Sequence, residues 1–250
     1  MTRHFGVLIP ATNTTVEMEY TQLLPEGLQA HYGRLGKDGN TPFSPSLVAD
    51  VVYQSQLLGQ AKVEAIALAQ TSASLFSDDY DAVTERQMRD GSGAPAVTSA
   101  MAVGQAIRAL GARRVAVITP YSSEVIGLAK RYFESQHGLE VVAMEGFDAA
   151  DAYMIGGLGP EHARDAFRRI DCAEIEVLVV PGGNFPTMRH VAAWEAEFAK
   201  PVITTNGATL WAMLALMGEA TKLPGLGRLL AEIPRGGVRR GPVAQKRNMR

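Results

Sequence analysis

Hydroxyl, amide and glycine residues gather in four short stretches of this 250-residue chain. They are Thr12-Asn13-Thr14, Gln70-Thr71-Ser72, Tyr121-Ser122-Ser123 and Gly182-Gly183-Asn184, with Asn206 further along. Such side chains donate hydrogen bonds without carrying charge, and paired glycines let a ligand approach the backbone closely. Placed at helix N-termini, where backbone N–H groups lack partners, they suit a carboxylate or a phosphate. A small anion is the expected ligand. Simpler readings stand beside this one. Hydroxyls at strand–helix junctions cap helices, Pro181-Gly182-Gly183 can be only a tight turn, and Tyr121 can simply close the edge of a core. Titratable groups that could join Tyr121 are Glu17, Asp79, Glu124 and His190. His4, His31, His137 and His162, like His190, lack ligand spacing and read as surface residues. No HExxH, GxGxxG or Walker-type loop is present, so neither a metal nor a nucleotide is expected.

These stretches need elements to hold them. Phe5–Ile9, Ala65–Ala69, Val115–Ile118, Val177–Val180 and Val202–Thr204 are short runs, rich in branched aliphatics, that end in small or polar residues. Such runs suit strands buried on both faces of a parallel sheet. Amphipathic stretches lie between them: Met101–Leu110, Glu124–Gln136, Pro160–Ile170 and Ala208–Met217. The alternation predicts a doubly wound α/β fold with right-handed crossovers. Ligands of such folds bind beyond the carboxyl ends of the strands, where the four polar stretches fall.

The chain also resembles itself. Phe5–Glu17 matches Val115–Gly127, Glu64–Ser74 matches Glu176–Pro186, and Ala94–Gly111 matches Lys200–Gly218. The three pairs keep their order at a spacing of about 110 residues, the signature of an internal repeat. Two pseudo-symmetric parallel-sheet halves are expected, residues 1–112 with 205–234 forming one and 113–204 the other. Residues 235–250 hold six arginines and lysines and no acid, with little apolar content. They read as a disordered basic tail, a polyanion-binding segment being the alternative.

Composition excludes other classes. The chain is 46% hydrophobic, enough for a full core, and its net charge of −2 argues against nucleic acid or a membrane surface as a partner. Its one cysteine, Cys172, precludes an internal disulfide and any Cys-rich metal site. No apolar run approaches the ~20 residues of a membrane helix. The apolar Phe5–Ala11 segment lacks a small-residue cleavage site after it. A soluble, cytoplasmic protein is expected, and a homo-oligomer is compatible with the sequence.

Ile9–Glu19 (IPATNTTVEME), Ala69–Phe76 (AQTSASLF), Ala109–Tyr121 (ALGARRVAVITPY) and Lys200–Leu214 (KPVITTNGATLWAML) together resemble the aspartate/glutamate racemase superfamily, in its maleate isomerase and arylmalonate decarboxylase branch. The resemblance spans roughly residues 3–230 and implies two α/β domains, no cofactor, no metal, and a small carboxylate held between the halves. By position it makes Asn13 a carboxylate contact and Thr71 and Ser72 the pocket for a retained carboxylate. It makes Tyr121 a partner of that carboxylate and of an enediolate, and places Gly182 and Gly183 beside the second catalytic position. Gln70, Asn184 and Asn206 complete the candidate substrate-binding set, with Tyr121, Thr71 and Ser72 as the catalytic candidates.

The departures are chemical. The isomerases and racemases of this superfamily carry a cysteine before the Thr-Ser pair and another before the Gly-Gly pair; this chain has Gln70 and Pro181 there. The isomerases also carry an asparagine in the loop matching Asp151–Gly156, where this chain has Ala152. Neither Gln70 nor Pro181 exchanges a proton near neutral pH, and neither can add to a double bond as a thiolate does. Decarboxylation asks for less: donors that hold one carboxylate and an apolar wall that destabilises the other. Lyase chemistry of that kind, with a proton from Tyr121 or from a water held by Asn184, is therefore the leading expectation. An isomerase or hydrolase without a cysteine and a non-catalytic carboxylate binder are the alternatives.

Overall fold

A computed structural model describes residues 2–37, 43–149 and 151–234, except for the Glu124 side chain. The basic stretch 235–250 and the Glu124 carboxylate lie outside the described residues. Within them, eight strands make two four-stranded sheets. The first orders β2 (Leu28–Leu35), β1 (Arg3–Pro10), β3 (Ile66–Leu68) and β4 (Ala96–Thr98). The second orders β6 (Glu140–Gly146), β5 (Arg114–Thr119), β7 (Val177–Val180) and β8 (Val202–Thr204). All these pairings are parallel. The shared order, second-first-third-fourth, turns the repeat in sequence into a repeat of architecture.

The strands follow from their residues. β3, β4, β7 and β8 are buried at every position, which demands the small and branched side chains they carry, all apolar except Thr98 and Thr204, which close β4 and β8. β2 and β6 lie at sheet edges, and their mixed burial tolerates the polar residues of LQAHYGRL and EVVAMEG. Those two, with the three-residue β4, carry no long apolar run. Helices α1 (Val16–Leu23), α2 (Val48–Gln60), α3 (Tyr80–Ser92) and α4 (Ser99–Ala109) accompany the first sheet along the chain. α5 (Ser123–His137), α6 (Pro160–Ile170), α7 (Val191–Phe198) and α8 (Thr205–Met217) accompany the second.

The last repeated pair shows how local chemistry is reused. Thr98 caps α4 by accepting a hydrogen bond from Met101 N at 3.3 Å, and Thr204 caps α8 by accepting one from Gly207 N at 3.2 Å. α4 and α8 pack together, and α8 also meets β3 and β4 of the first sheet. Every residue of α8 from Thr205 to Leu216 is buried, as a helix apolar on all sides requires. One hydrophobic core runs from Phe5 and Val7 of β1 through Trp211 to Val177 and Val179 of β7; a smaller one lies under α2 and α3.

Polar contacts also fasten one half to the other. The Tyr132 hydroxyl on α5 donates to Asp81 Oδ2 at 2.5 Å, and Ser74 and Thr98 donate to Oδ1 of the same carboxylate at 2.6 and 2.5 Å. His137 departs from the surface role expected of it: it is buried against Gly104, Tyr132 and Phe133, with Nδ1 3.0 Å from an Arg108 guanidinium nitrogen. Burial beside that cation lowers its pKa to about 4. The cause is non-local, because Gly104 leaves the space the ring occupies. Among the described residues no helix is long and apolar enough to cross a membrane, and no cluster of His, Cys, Asp or Glu could hold a metal.

Candidate active site

In each sheet the strand order reverses beside the first strand, opening a crevice at the carboxyl ends of β1 and β3, and of β5 and β7. The loops leaving these four strands surround one cavity of about 90 Å³. A single water needs roughly 10–15 Å³ on this measure, so the cavity has room for a small organic acid. Asn13, Gln70, Thr71, Ser72, Tyr121, Gly182, Gly183 and Asn184 all line it. Asn206 does not; it sits behind the wall.

Each side chain is held in a definite role. Asn13 Oδ1 accepts hydrogen bonds from Thr15 N and Val16 N, both at 3.0 Å, and so starts α1. Its carbonyl end is committed, which leaves its NH2 group as the end able to donate to a ligand. Thr71 opens a 3-10 helix, Thr71–Leu75, and its hydroxyl lies 3.1 Å from Ser99 Oγ and 3.0 Å from Thr205 Oγ1. Thr205 Oγ1 in turn accepts from Gly182 N at 2.9 Å. One chain of hydrogen bonds thereby ties the loop after β3 to the loop after β7, across the two halves.

Gly182 has φ +126, a conformation that side-chain-bearing residues rarely adopt, and a Cβ there would meet Pro120 Cγ at 2.9 Å. Behind Gly183, Asn206 Nδ2 donates to the Gly183 carbonyl at 3.0 Å and to Glu19 Oε2 at 2.7 Å. Glu19 Oε1 accepts from Thr187 N and Met188 N at 2.7 and 2.8 Å. Burial pushes the Glu19 carboxyl above its usual range, while these donors pull the other way. Glu19 and Asn206 thus form a bracket behind the glycine wall.

Asn184 is a rivet. Its Oδ1 accepts from Thr14 N at 2.8 Å, and its Nδ2 donates to the Ala152 carbonyl at 2.7 Å. Both ends of its amide hold loops together. Tyr121 is buried, and burial pushes its phenol well above the ordinary tyrosine range, opposed by a hydrogen bond with Thr71. It is neutral at any physiological pH. Of the other titratable candidates, Glu17 pairs with Arg34 at 2.9 Å on a separate surface, Asp79 is exposed, and His190 packs against Trp194. None of the three lines the cavity.

One contributor carried no signal in the sequence: the segment joining β2 to α2. Lys37, Phe43, Ser44 and Ser46 line the cavity. Phe43 adopts φ 63, and its ring centroid lies 5.1 Å from that of Tyr121. Gln70 grips this segment, accepting from Ser46 Oγ at 2.8 Å and from Ser46 N at 3.2 Å, and donating to the Ser44 carbonyl at 2.9 Å. Among the described residues, Tyr121 and Lys37 are the only titratable side chains on the cavity wall. Cys172 is exposed in the turn between α6 and β7, at the opposite strand ends.

The arrangement can hold an anion with neutral donors on one wall and press it against backbone, Ala152 and Ile155 on the other. Comparison with known proteins points the same way. The arylmalonate decarboxylase family pattern matches residues 5–230. The maleate isomerase of Nocardia farcinica is 27% identical over 242 residues, covering 92% of this chain and 96% of that protein. The arylmalonate decarboxylase of Bordetella bronchiseptica is 26% identical, covering 91% and 96%. The structure of a Cys-to-Ser variant of the Nocardia isomerase, with a covalently bound succinylcysteine intermediate, matches at a TM-score of 0.82 and 25% identity over 94% of this chain and 100% of that one.

Proposed function

The chain belongs to the arylmalonate decarboxylase family, and from that premise we propose that it removes CO2 from a small dicarboxylate through an enediolate held between its two halves. An enzyme of the maleate isomerase and decarboxylase type is what its relatives indicate. The choice between those two reactions is our own reading. It rests on one observation: the cavity wall, among the described residues, carries no thiol, and the chain's single cysteine lies exposed elsewhere. A succinylcysteine of the kind held by the Nocardia variant has no sulfur here from which to form.

Decarboxylation fits the groups available. Thr71, Ser72 and the Asn13 NH2 hold the carboxylate that stays. The other carboxylate faces the apolar side of the cavity, where loss of water raises its energy. The bond from Cα to that carboxylate breaks, CO2 departs, and the electron pair moves onto the retained carboxylate as an enediolate. Tyr121, kept neutral by burial, donates a hydrogen bond to the developing charge. Handing over its proton would leave a buried phenolate. The proton that restores Cα therefore comes from water, and no cofactor takes part.

Incubation with a panel of small dicarboxylates followed by mass spectrometry tests this reading. Loss of one CO2 from a malonate-type acid is the expected result. Conversion of maleate with no change in mass would make the enzyme an isomerase and overturn it.

A further inference from the structure

The Thr71 hydroxyl is gripped from two sides by the same repeated position. α4 and α8 follow their capping threonines, Thr98 and Thr204, and each opens on a second hydroxyl, Ser99 and Thr205. Thr71 Oγ1 lies within hydrogen-bond distance of both. All three residues are buried, and among the described residues neither the Ser99 nor the Thr205 hydroxyl has another acceptor in reach. Counting protons then settles directions that distances alone leave open. Gly182 N can only donate, so Thr205 Oγ1 accepts from it and sends its own proton to Thr71. A buried hydroxyl whose proton finds no acceptor is costly, so Ser99 donates to Thr71 as well. Both lone pairs of Thr71 Oγ1 are thereby filled.

We propose that Ser99 and Thr205 are positioning residues that aim the Thr71 proton into the cavity, where it meets the charge of the enediolate. The chemistry rests on the decarboxylase reading; the hydrogen-bond directions do not. With its lone pairs filled, Thr71 acts only as a donor. Its proton goes to the ligand directly, or to the oxygen of Tyr121, which hydrogen-bonds Thr71 and also lines the cavity. In the second case the Tyr121 proton faces the ligand instead. On either route the chain from Gly182 through Thr205 and Thr71 ends as a donor at the cavity. Donors that feed a hydroxyl polarise it, so it gives a stronger hydrogen bond. The retained carboxylate gains a second negative charge as CO2 leaves. The aimed proton therefore stabilises the transition state more than the bound substrate.

A neutron structure of the deuterated protein reads the directions themselves. Deuterium on Ser99 Oγ and on Thr205 Oγ1, each pointing at Thr71 Oγ1, is the expected result. A Thr71 deuterium pointing at either oxygen would overturn the proposal. Kinetics read the consequence, with methylmalonate as the probe and CO2 release as the signal. Ser99→Ala and Thr205→Val should each lower kcat about five- to tenfold while KM moves by less than about twofold. Thr205→Ser, which keeps the hydroxyl, should recover most of that loss. Adding Ser99→Ala to Thr71→Ala should lower kcat no further, because Ser99 acts through the Thr71 proton. A packing role would add its loss in either background, and that result would also overturn the proposal. Melting curves on each variant separate these losses from loss of fold. Methylmalonate left intact by the unmodified protein would count against decarboxylation alone, and the deuterium positions would still decide where Thr71 is aimed.

Discussion

The two halves share a strand order and a helix sequence, yet they face the cavity with different chemistry. From the first come side chains: Asn13 after β1, Lys37 after β2, and Gln70, Thr71 and Ser72 after β3. The second offers mostly backbone, with Gly182 and Gly183 after β7 and Tyr121 as its one titratable group among the described residues. Asn184 belongs to the second wall, but its amide is occupied in joining loops. Duplication therefore supplies two crevices aimed at each other, and divergence makes one polar and the other bare. That asymmetry suits a reaction in which two carboxylates of one molecule must be treated differently: one gripped, one stripped of water.

The largest expected effect comes from damaging the bare wall. Gly182→Ala must either move a residue out of φ +126 or push a Cβ against Pro120. Either shift disturbs the Gly182–Thr205–Thr71 hydrogen-bond chain and the turn carrying Tyr121. Misplacement on that scale costs on the order of 100-fold in kcat/KM. Steady-state kinetics on the best substrate from the carboxylate panel would measure it. A variant of normal rate would mean that the backbone wall takes no part in the site.

Damage to the donors should cost less per residue. Thr71→Ala and Tyr121→Phe are each expected to lower turnover by at least about tenfold, equivalent to about 1.4 kcal/mol of transition-state stabilisation. Equal and unchanged rates in both would take them out of the site and remove the contrast between walls.

How much of this could be read beforehand follows the same division. The buried strands β1, β3, β5, β7 and β8 announce themselves, because burial on both faces leaves only apolar residues acceptable. β2 escapes notice, since an edge strand accepts the Gln29, His31 and Arg34 that interrupt its pattern. The donors Asn13, Thr71, Ser72 and Tyr121 stand at strand ends, where type and position both speak. Lys37 and Ser46 do not, because their place on the cavity depends on a grip from Gln70, 24 residues beyond Ser46. In the sequence the amide of Asn184 reads as available to hold a water, whereas two other loops claim it, through Thr14 N and the Ala152 carbonyl. Sequence shows which groups exist; their partners across the fold decide which are still free.

A smaller effect separates the halves behind the cavity. α3 buries Asp81 and half-buries Glu85 behind the polar loop, with Arg89 3.7 Å from the Glu85 carboxylate, whereas α7, which follows β7 as α3 follows β3, keeps Glu197 paired with Arg168 at 2.6 Å on the outside. Burial raises the Glu85 pKa from 4.5 to about 7. The folded state then holds a proton that the unfolded chain has lost, so stability is complete below pH 4.5 and declines as pH rises towards 7. The slope contributed is at most about 1.4 kcal/mol per pH unit. Glu85→Gln should flatten melting temperature across that window, and Glu197→Gln should leave its slope as it was. An unchanged slope in Glu85→Gln would mean that the carboxyl is ionised in the folded protein.

The smallest effect is the most informative about chemistry. Cys172 lies between α6 and β7, at the strand ends away from the cavity, with its carbonyl accepting from Lys200 Nζ at 2.6 Å and its side chain exposed. Cys172→Ala removes no buried surface and no backbone contact, so stability should move by no more than about 0.5 kcal/mol. Turnover should be the same within error, and treatment with a thiol-alkylating reagent should likewise leave it intact. Both results would hold if neither half carries a sulfur nucleophile and the division between a donor wall and a bare wall is sufficient for the reaction. Loss of turnover in a folded Cys172→Ala protein would instead bring a thiol into the mechanism. The working site would then lie at the opposite ends of the strands, and the asymmetry of the two walls would have to be explained without catalysis.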